Sequence, residues 1–146
     1  MPALEKTPSI GKLGPRANGE DIPYWDGLAE GELRIQRCDG CGKWWWGPVC
    51  RCADCGSWDL TWTPIEARGR VFSWIRSHLP FVPDMASAVP FVTLLVELPH
   101  AGNRRLLGIL VDSEEGLKIG SEVVGVIQPP FELTNNRHVM RWRLVG

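Results

Sequence analysis

The chain has 146 residues, 44% of them hydrophobic, with Lys plus Arg 16 against Asp plus Glu 17 and a formal net charge of -1. That size fits one ordinary globular unit or two very small ones sharing a core, and the balanced charge argues against the basic footprint of a protein that tracks a nucleic-acid backbone. No apolar run approaches the roughly 20 residues of a membrane span, and the opening MPALEKTPSIGKLGPRANGED lacks the apolar segment of a secretory signal, so the sequence predicts a soluble cytoplasmic protein.

Residues 1–17 scatter Pro, Gly, Lys and Ser without periodicity and read as an extended, flexible arm. A first unit is expected over 18–67. Asp21 suits an N-cap, Pro23 falls in the first turn, and Ile22, Trp25 and Leu28 recur on one face of a short helix that Gly31 stops. ELRIQR (32–37) then reads as a strand leading into RCDGCGKWWWGPVCRCADCGSW (37–58), which holds all five cysteines and four of the eight tryptophans.

Cys38-x2-Cys41 and Cys52-x2-Cys55 are two knuckles, each followed at once by glycine. Gly42 and Gly56 supply the positive φ that lets the chain leave a tight turn whose N–H groups face the sulfurs. In a reducing compartment such clusters are metal ligands more often than disulfides, and an odd count disfavours a closed disulfide framework. Four thiolates suit a tetrahedral Zn²⁺ at Zn–S distances of about 2.3 Å and close its coordination sphere, so the site is expected to be structural. Iron in a rubredoxin-like centre is the competing reading. Cys50 is the spare thiol, expected to be partly buried rather than a substitute ligand or nucleophile.

DLTWTPIEA (59–67) reads as the strand leaving the second knuckle, with Gly69 as the hinge to a second unit over 68–146. There RVFSWIRSHL, PFVTLLVEL, RRLLGILVD, SEVVGVIQ and HVMRWRLVG predict five strands. Val92, Leu94, Val96 and Leu98 share one face of the second. Met140, Trp142 and Leu144 alternate with Arg141 and Arg143 in the fifth, the period of a half-buried antiparallel strand. PHAGN (99–103) makes a tight hairpin, while PFVPDMASAV and PPFELTNNR are longer connections of the kind that carry function. Five short strands that must hide their edges favour a small closed barrel of the OB-fold type over an SH3-like barrel or an open meander. The expected fold class is therefore mostly β: a short N-terminal helix, a four-cysteine zinc ribbon, then a five-stranded OB-fold barrel.

This order resembles the domain-of-unknown-function-35 family, which pairs a rubredoxin-like zinc ribbon with a C-terminal OB-fold. The resemblance runs from about residue 20 onward and rests on YWDGLAEGELRIQRCDGCG, CADCGS, GRVFSW, PFVTLLVEL and LKIGSEVVGV. Ala53, where family members often carry Pro, and the triple Trp44-Trp45-Trp46 depart from the pattern. The resemblance implies an accessory subunit in a hetero-oligomer built on a dimer of a thiolase-superfamily catalytic partner. That partner, a thiolase, acyltransferase or steroid side-chain retro-aldolase, would act on acyl-CoA. The chain's own residues agree: His78, His100 and His138 are scattered, and no nucleophile elbow, P-loop or dinucleotide-binding glycine motif occurs, so no catalytic residue is expected.

Three consecutive tryptophans in a strand cannot all face inward, so at least one of Trp44, Trp45 and Trp46 is expected to be exposed or to lie against another surface. Together with Tyr24 and Trp25 they are candidates for partner or acyl-CoA contact. Among the twelve arginines, Arg68, Arg70 and Arg76 gather where the barrel starts; Arg70 and Arg76 are the candidates for coenzyme A phosphates. Two rival classes remain at this point: a single-stranded nucleic-acid module, which the charge disfavours, and a rubredoxin-like electron carrier, which leaves the barrel without a purpose.

Overall fold

Helix α1 forms over Ile22–Ala29 with Pro23 in its first turn. Asp21 occupies the N-cap position but makes no capping bond with its side chain. Its carboxylate instead accepts from the Arg16 amide at 2.7 Å and the Trp25 indole N–H at 3.2 Å, which ties the incoming chain to the first turn. Of the expected apolar face, Leu28 is buried and Trp25 half-buried, whereas Ile22 stays 44% exposed. Gly31, at φ +84°, turns the chain into the first strand. The computed structural model describes residues 14–146, so the arm expected over 1–17 falls almost wholly outside the described residues.

Strands β1 (Leu33–Cys38), β2 (Trp44–Trp45) and β3 (Leu60–Ile65) form a small antiparallel sheet in the order β2-β1-β3. β4 (Arg68–Ser77), β5 (Phe91–Leu98), β6 (Arg104–Ile109), β7 (Glu122–Gln128) and β8 (Val139–Leu144) make the second sheet, ordered β6-β5-β4-β7-β8. All neighbours are antiparallel. The sheet curls until its two edge strands meet, where Leu110 forms a parallel bridge to Trp142 and the Val111 amide donates to the Trp142 carbonyl at 2.8 Å. Three meandering strands, a fourth returning beside the first and a fifth closing in parallel on the third give the OB-fold expected from the sequence.

Closure depends on close approach. Trp142 is fully buried, and a Cβ on Gly108 of β6 would stand 2.5 Å from its ring. Gly69, expected to be a hinge, instead lies inside β4, where a Cβ would meet the Glu97 carbonyl oxygen at 2.4 Å. The turn into the barrel is made one step earlier, between Ile65 and Arg68. A glycine in a strand interior can mark either a hinge or a tight strand contact, and here the contact wins.

One apolar cluster joins the two sheets. Leu28, Leu33 and Ile35 pack with Val71, Leu94, Val96, Leu98, Leu106, Val123, Met140 and Trp142. Each fully buried aliphatic side chain contributes about 1.5–3 kcal/mol relative to exposure. The alternation read in β5 holds, since Val92, Leu94, Val96 and Leu98 are all buried. That of β8 does not: Arg141 is only 2% exposed and its Nε donates to Gln128 Oε1 at 2.6 Å on the neighbouring strand. The connection over 78–90 folds Met85 onto Phe91 and Ile109, and leaves Phe81 91% exposed. In the connection over 129–138, buried Thr134 bonds the Phe131 amide at 3.0 Å and the Arg137 carbonyl at 3.0 Å.

On the outer face of the barrel sheet Glu97, largely shielded, sits between Arg70 on β4 (2.7 Å) and Arg105 on β6 (3.0 Å). The Arg70 and Arg105 hydrogen bonds hold its carboxyl below the usual carboxylate range. A carboxylate depressed on folding stabilises fully above its unfolded pKa, and that share is lost as pH falls through the lowered folded value. Glu97→Gln is therefore expected to show a smaller loss of Tm than wild type between about pH 5 and pH 3; equal losses would remove Glu97 from the acid sensitivity. Gly69→Ala is expected to cost about 1–3 kcal/mol in denaturant unfolding, because a carbonyl oxygen cannot yield as a side chain can.

Candidate metal centre

The two knuckles are near copies. Arg37-Cys38-x2-Cys41-Gly42-x-Trp44 and Arg51-Cys52-x2-Cys55-Gly56-x-Trp58 place the same residue types at the same spacing. The first sulfur of each accepts two amides: Cys38 from Cys41 and Gly40, Cys52 from Cys55 and Asp54. The second accepts one, Cys41 from Lys43 and Cys55 from Ser57. Gly42 and Gly56, both at φ +77°, close the turns by donating to the carbonyls of Cys38 at 2.8 Å and Cys52 at 3.0 Å.

The arginine before each knuckle clamps it. Arg37 Nε donates to the Gly42 carbonyl at 3.1 Å and Arg51 Nε to that of Gly56 at 2.7 Å. Each guanidinium also lies over the tryptophan that leaves its own turn, Trp44 at 5.0 Å and Trp58 at 5.2 Å. Lys43 joins the knuckles through a 2.6 Å bond to Asp54. Sequence reasoning does not identify these clamps, although the repeated R-C-x-x-C-G-x-W carries their signal.

Backbone donors thus converge on sulfurs that are themselves together. The four Sγ atoms of Cys38, Cys41, Cys52 and Cys55 all lie within 4.8 Å of one another, with Cys38 and Cys55 at 3.5 Å and Cys41 and Cys52 at 3.7 Å. In a tetrahedron with metal–sulfur bonds of about 2.3 Å, the sulfur–sulfur edge is about 3.8 Å. The rim is tight at Gly40, where a Cβ would lie 3.2 Å from the Ser57 Cβ and 3.3 Å from the Cys55 sulfur.

Electrostatics points the same way. Amide donation, chiefly from Cys55, pulls the Cys52 thiol down to about 6, and donation from Cys41 lowers Cys38. Cys41, although given the Lys43 amide, is pushed up to about 12 by desolvation of its sulfur and by its bond to Cys52. The Ser57 amide at Cys55 is outweighed by the Cys38 thiol and desolvation, so Cys55 is raised as well. Each close sulfur pair therefore joins one thiol made more acidic to one made less acidic, and binding of a divalent ion would displace protons from the cluster. The Trp45 indole N–H is buried without a partner in hydrogen-bonding geometry and stands close enough to the Cys52 sulfur to favour its thiolate. Donor set, spacing and buried N–H groups fit a closed four-thiolate metal site.

Cys50 stays outside the cluster. It is exposed rather than partly buried, because the Gln36 side chain clamps the loop just before it, donating to the Val49 carbonyl at 3.1 Å and accepting from its amide at 2.8 Å. Trp44, Trp45 and Trp46 are all half-buried. Trp44 is held by Arg104, whose Nε donates to its carbonyl at 2.7 Å, and the Trp45 ring lies between Arg104 at 4.7 Å and Lys43 at 5.3 Å. Trp46 packs on Tyr24 with ring centres 4.9 Å apart, and Tyr24 meets Trp25 edge-on at 5.3 Å. The tryptophan that stands out is Trp58, at 67% exposed. Arg70 and Arg76 are not brought to these aromatics: Arg70 is bound by Glu97, and Arg76 by Glu114 at 2.8 Å while stacking on Trp74 at 5.4 Å. Among the described residues no helix is long and apolar enough to cross a membrane.

Comparison with known proteins agrees with this architecture. Residues 62–128 match the family model for the ChsH2 C-terminal OB-fold domain. The chain is 32% identical over 122 residues to a probable enoyl-CoA hydratase alpha subunit of Thermomonospora curvata, covering 82% of this chain and 37% of that protein. It is 36% identical over 99 residues to the 3-oxo-4,17-pregnadiene-20-carboxyl-CoA hydratase alpha subunit of Mycobacterium tuberculosis, covering 67% and 30%. The chain thus spans about a third of the length of these curated relatives. Among solved structures it superposes on a chain of the Ltp2-ChsH2(DUF35) aldolase with TM-score 0.76 and 29% identity, covering 90% of this chain and 98% of that one. A DUF35 protein of unknown function from Sulfolobus solfataricus shares the fold at TM-score 0.55 and 16% identity, covering 85% and 84%.

One metal equivalent per chain is expected by elemental analysis of the purified protein. Cys52→Ser is expected to lose it and melt at lower temperature, while Cys50→Ser keeps both metal and Tm. Loss of metal from the Cys50 variant instead would place a different sulfur in the centre.

Proposed function

From a chain of the DUF35 family with an OB-fold domain of the ChsH2 type, we propose a non-catalytic, zinc-stabilised subunit that binds and organises a thiolase-like enzyme acting on acyl-CoA. Steroid or other bulky acyl-CoA degradation is the setting, and a retro-aldolase, thiolase or acyltransferase the partner. The observation that carries this reading is the superposition of ribbon and barrel together on nearly the full length of a chain from a two-component aldolase. The hydratase subunits named above are relatives over about a third of their length, and acyl-CoA is the chemistry their names share.

Zinc rather than iron is proposed because a closed thiolate site with no substrate position has a structural role that a redox-inert ion fills. In its assembled state the subunit pairs with a dimer of the partner and works in the cytoplasm. The ribbon offers the partner a rigid edge, where Trp58, with Arg51 stacked on it, presents a large apolar face already ordered before binding. Trp44, Trp45 and Trp46, with Tyr24 and Trp25, add further contact surface for the partner or the acyl-CoA, and Arg70 and Arg76 would exchange their carboxylate partners for phosphate if coenzyme A reaches the barrel.

The test is capture from the native host grown on a steroid. A tagged chain is expected to retain a thiolase-like protein in stoichiometric amount, and Trp58→Ala to weaken that capture about tenfold or more with metal content unchanged. Recovery of nucleic acid, or of no acyl-CoA enzyme at all, contradicts the proposal. A red protein with an iron-thiolate absorption band contradicts the zinc assignment.

A further inference from the structure

Trp45 lies in β2, paired with Gln36 of β1, just after the first knuckle. Two cations fix its ring: Arg104 of the barrel lies over it at 4.7 Å and Lys43 of the knuckle at 5.3 Å. Both cations are themselves anchored, Arg104 by donating to the Trp44 carbonyl at 2.7 Å and Lys43 by its 2.6 Å bond to Asp54. The amides of that same Lys43 and Asp54 donate to the sulfurs of Cys41 and Cys52. The indole is thereby held beside the sulfur cluster by the groups that shape the cluster.

Its N–H is the group left unexplained. The atom is buried, yet no acceptor meets it in hydrogen-bonding geometry. Folded proteins rarely keep such a donor unmade, because only a partner offsets its lost hydration. The acceptor beside it is the Cys52 sulfur, which already takes the Cys55 and Asp54 amides. A metal-bound thiolate keeps lone pairs directed away from the ion, and N–H donors around it settle the charge on those pairs. The two knuckles share residue types as far as Trp44 and Trp58, and they part at the next position, where Trp45 offers a donor and Asp59 a carboxylate. At Cys38 the corresponding neighbours are amides and cysteine thiols, so the indole sets the Cys52 sulfur apart from its counterpart.

We propose that Trp45 is a positioning residue of the metal centre: with an ion bound, its indole N–H donates to the Cys52 sulfur and holds the ion more tightly than the backbone donors alone do. This rests on the four-thiolate reading of the cluster and adds to it a side chain from outside both Cys-x2-Cys-Gly turns. Cations over the ring draw electron density from it, which makes the N–H a stronger donor. The bond drains charge from the sulfur. A thiolate so held releases its ion less readily, and moving an electron from that sulfur to the metal takes more energy.

The test compares the full chain with Trp45→Phe, which keeps an aromatic ring beneath both cations and removes the N–H. Competition with a chromophoric chelator reads zinc affinity, and the cobalt-loaded proteins read the sulfur-to-cobalt charge-transfer band. Trp45→Phe is expected to weaken zinc binding about 10-fold to 100-fold and to move the band to longer wavelength, whereas Trp44→Phe, the same change on the neighbouring indole, leaves the band in place. Loss of packing alone does not shift that band in this direction. In wild type loaded with a spin-active cadmium isotope, the Trp45 indole proton is expected to couple to the metal through the hydrogen bond, a readout that does not depend on any variant folding. An unmoved band in Trp45→Phe, an equal shift in Trp44→Phe, or an indole proton without that coupling overturns the proposal. Metal bound without these signatures removes the role of Trp45 alone, while a wild type that binds no metal removes the four-thiolate reading and the role of Trp45 with it.

Discussion

Four cysteine sulfurs held within 4.8 Å of one another cannot all carry charge unless a cation sits among them, and the ribbon is built around that constraint. Between Cys38 and Cys55 the chain buries little apolar surface: only Cys38, Pro48 and Cys52 are buried in that stretch. Apolar burial alone does not order such a segment. Amide groups from both turns, an arginine clamp on each and the Lys43 to Asp54 pair bring the sulfurs together, where a bound ion would supply the energy that a core supplies elsewhere.

The ordered ribbon in turn fixes everything that touches it. Gln36 uses its amide as a substitute strand to hold the loop at Val49, and Arg104 reaches from the barrel to the Trp44 carbonyl. Leu33 and Ile35 of β1 enter the same core as Trp142, so metal site and barrel closure are mechanically continuous. Trp46 extends this continuity to Tyr24, which is why an aromatic-walled groove can exist at the junction at all.

Much of this is legible in the sequence because it depends on local spacing. The paired Cys-x2-Cys-Gly units, the period of two in β5 and the turn at PHAGN each correspond to a formed element. What escapes reading depends on tertiary neighbours. Arg141 alternates correctly with Met140 and Trp142, yet closure of the barrel buries both faces of β8 and gives its guanidinium a partner on β7. Gly69 reads as a hinge because sequence does not reveal the Glu97 carbonyl pressed against it. Asp21 sits where an N-cap should, but the returning Arg16 amide and the Trp25 ring compete for its oxygens. Arg70 and Arg76 read as free cations until the fold sets cross-strand and loop carboxylates beside them.

The chain presents a ribbon edge carrying Trp58, a closed barrel, and a groove among α1, the end of the ribbon and the closing edge of the barrel. The most direct measurement of the central constraint is X-ray absorption at the metal edge of the purified protein. A single shell of four sulfurs at about 2.3 Å is expected. A shell containing nitrogen or oxygen, or a protein whose cysteines are paired as disulfides with no metal bound, would contradict it.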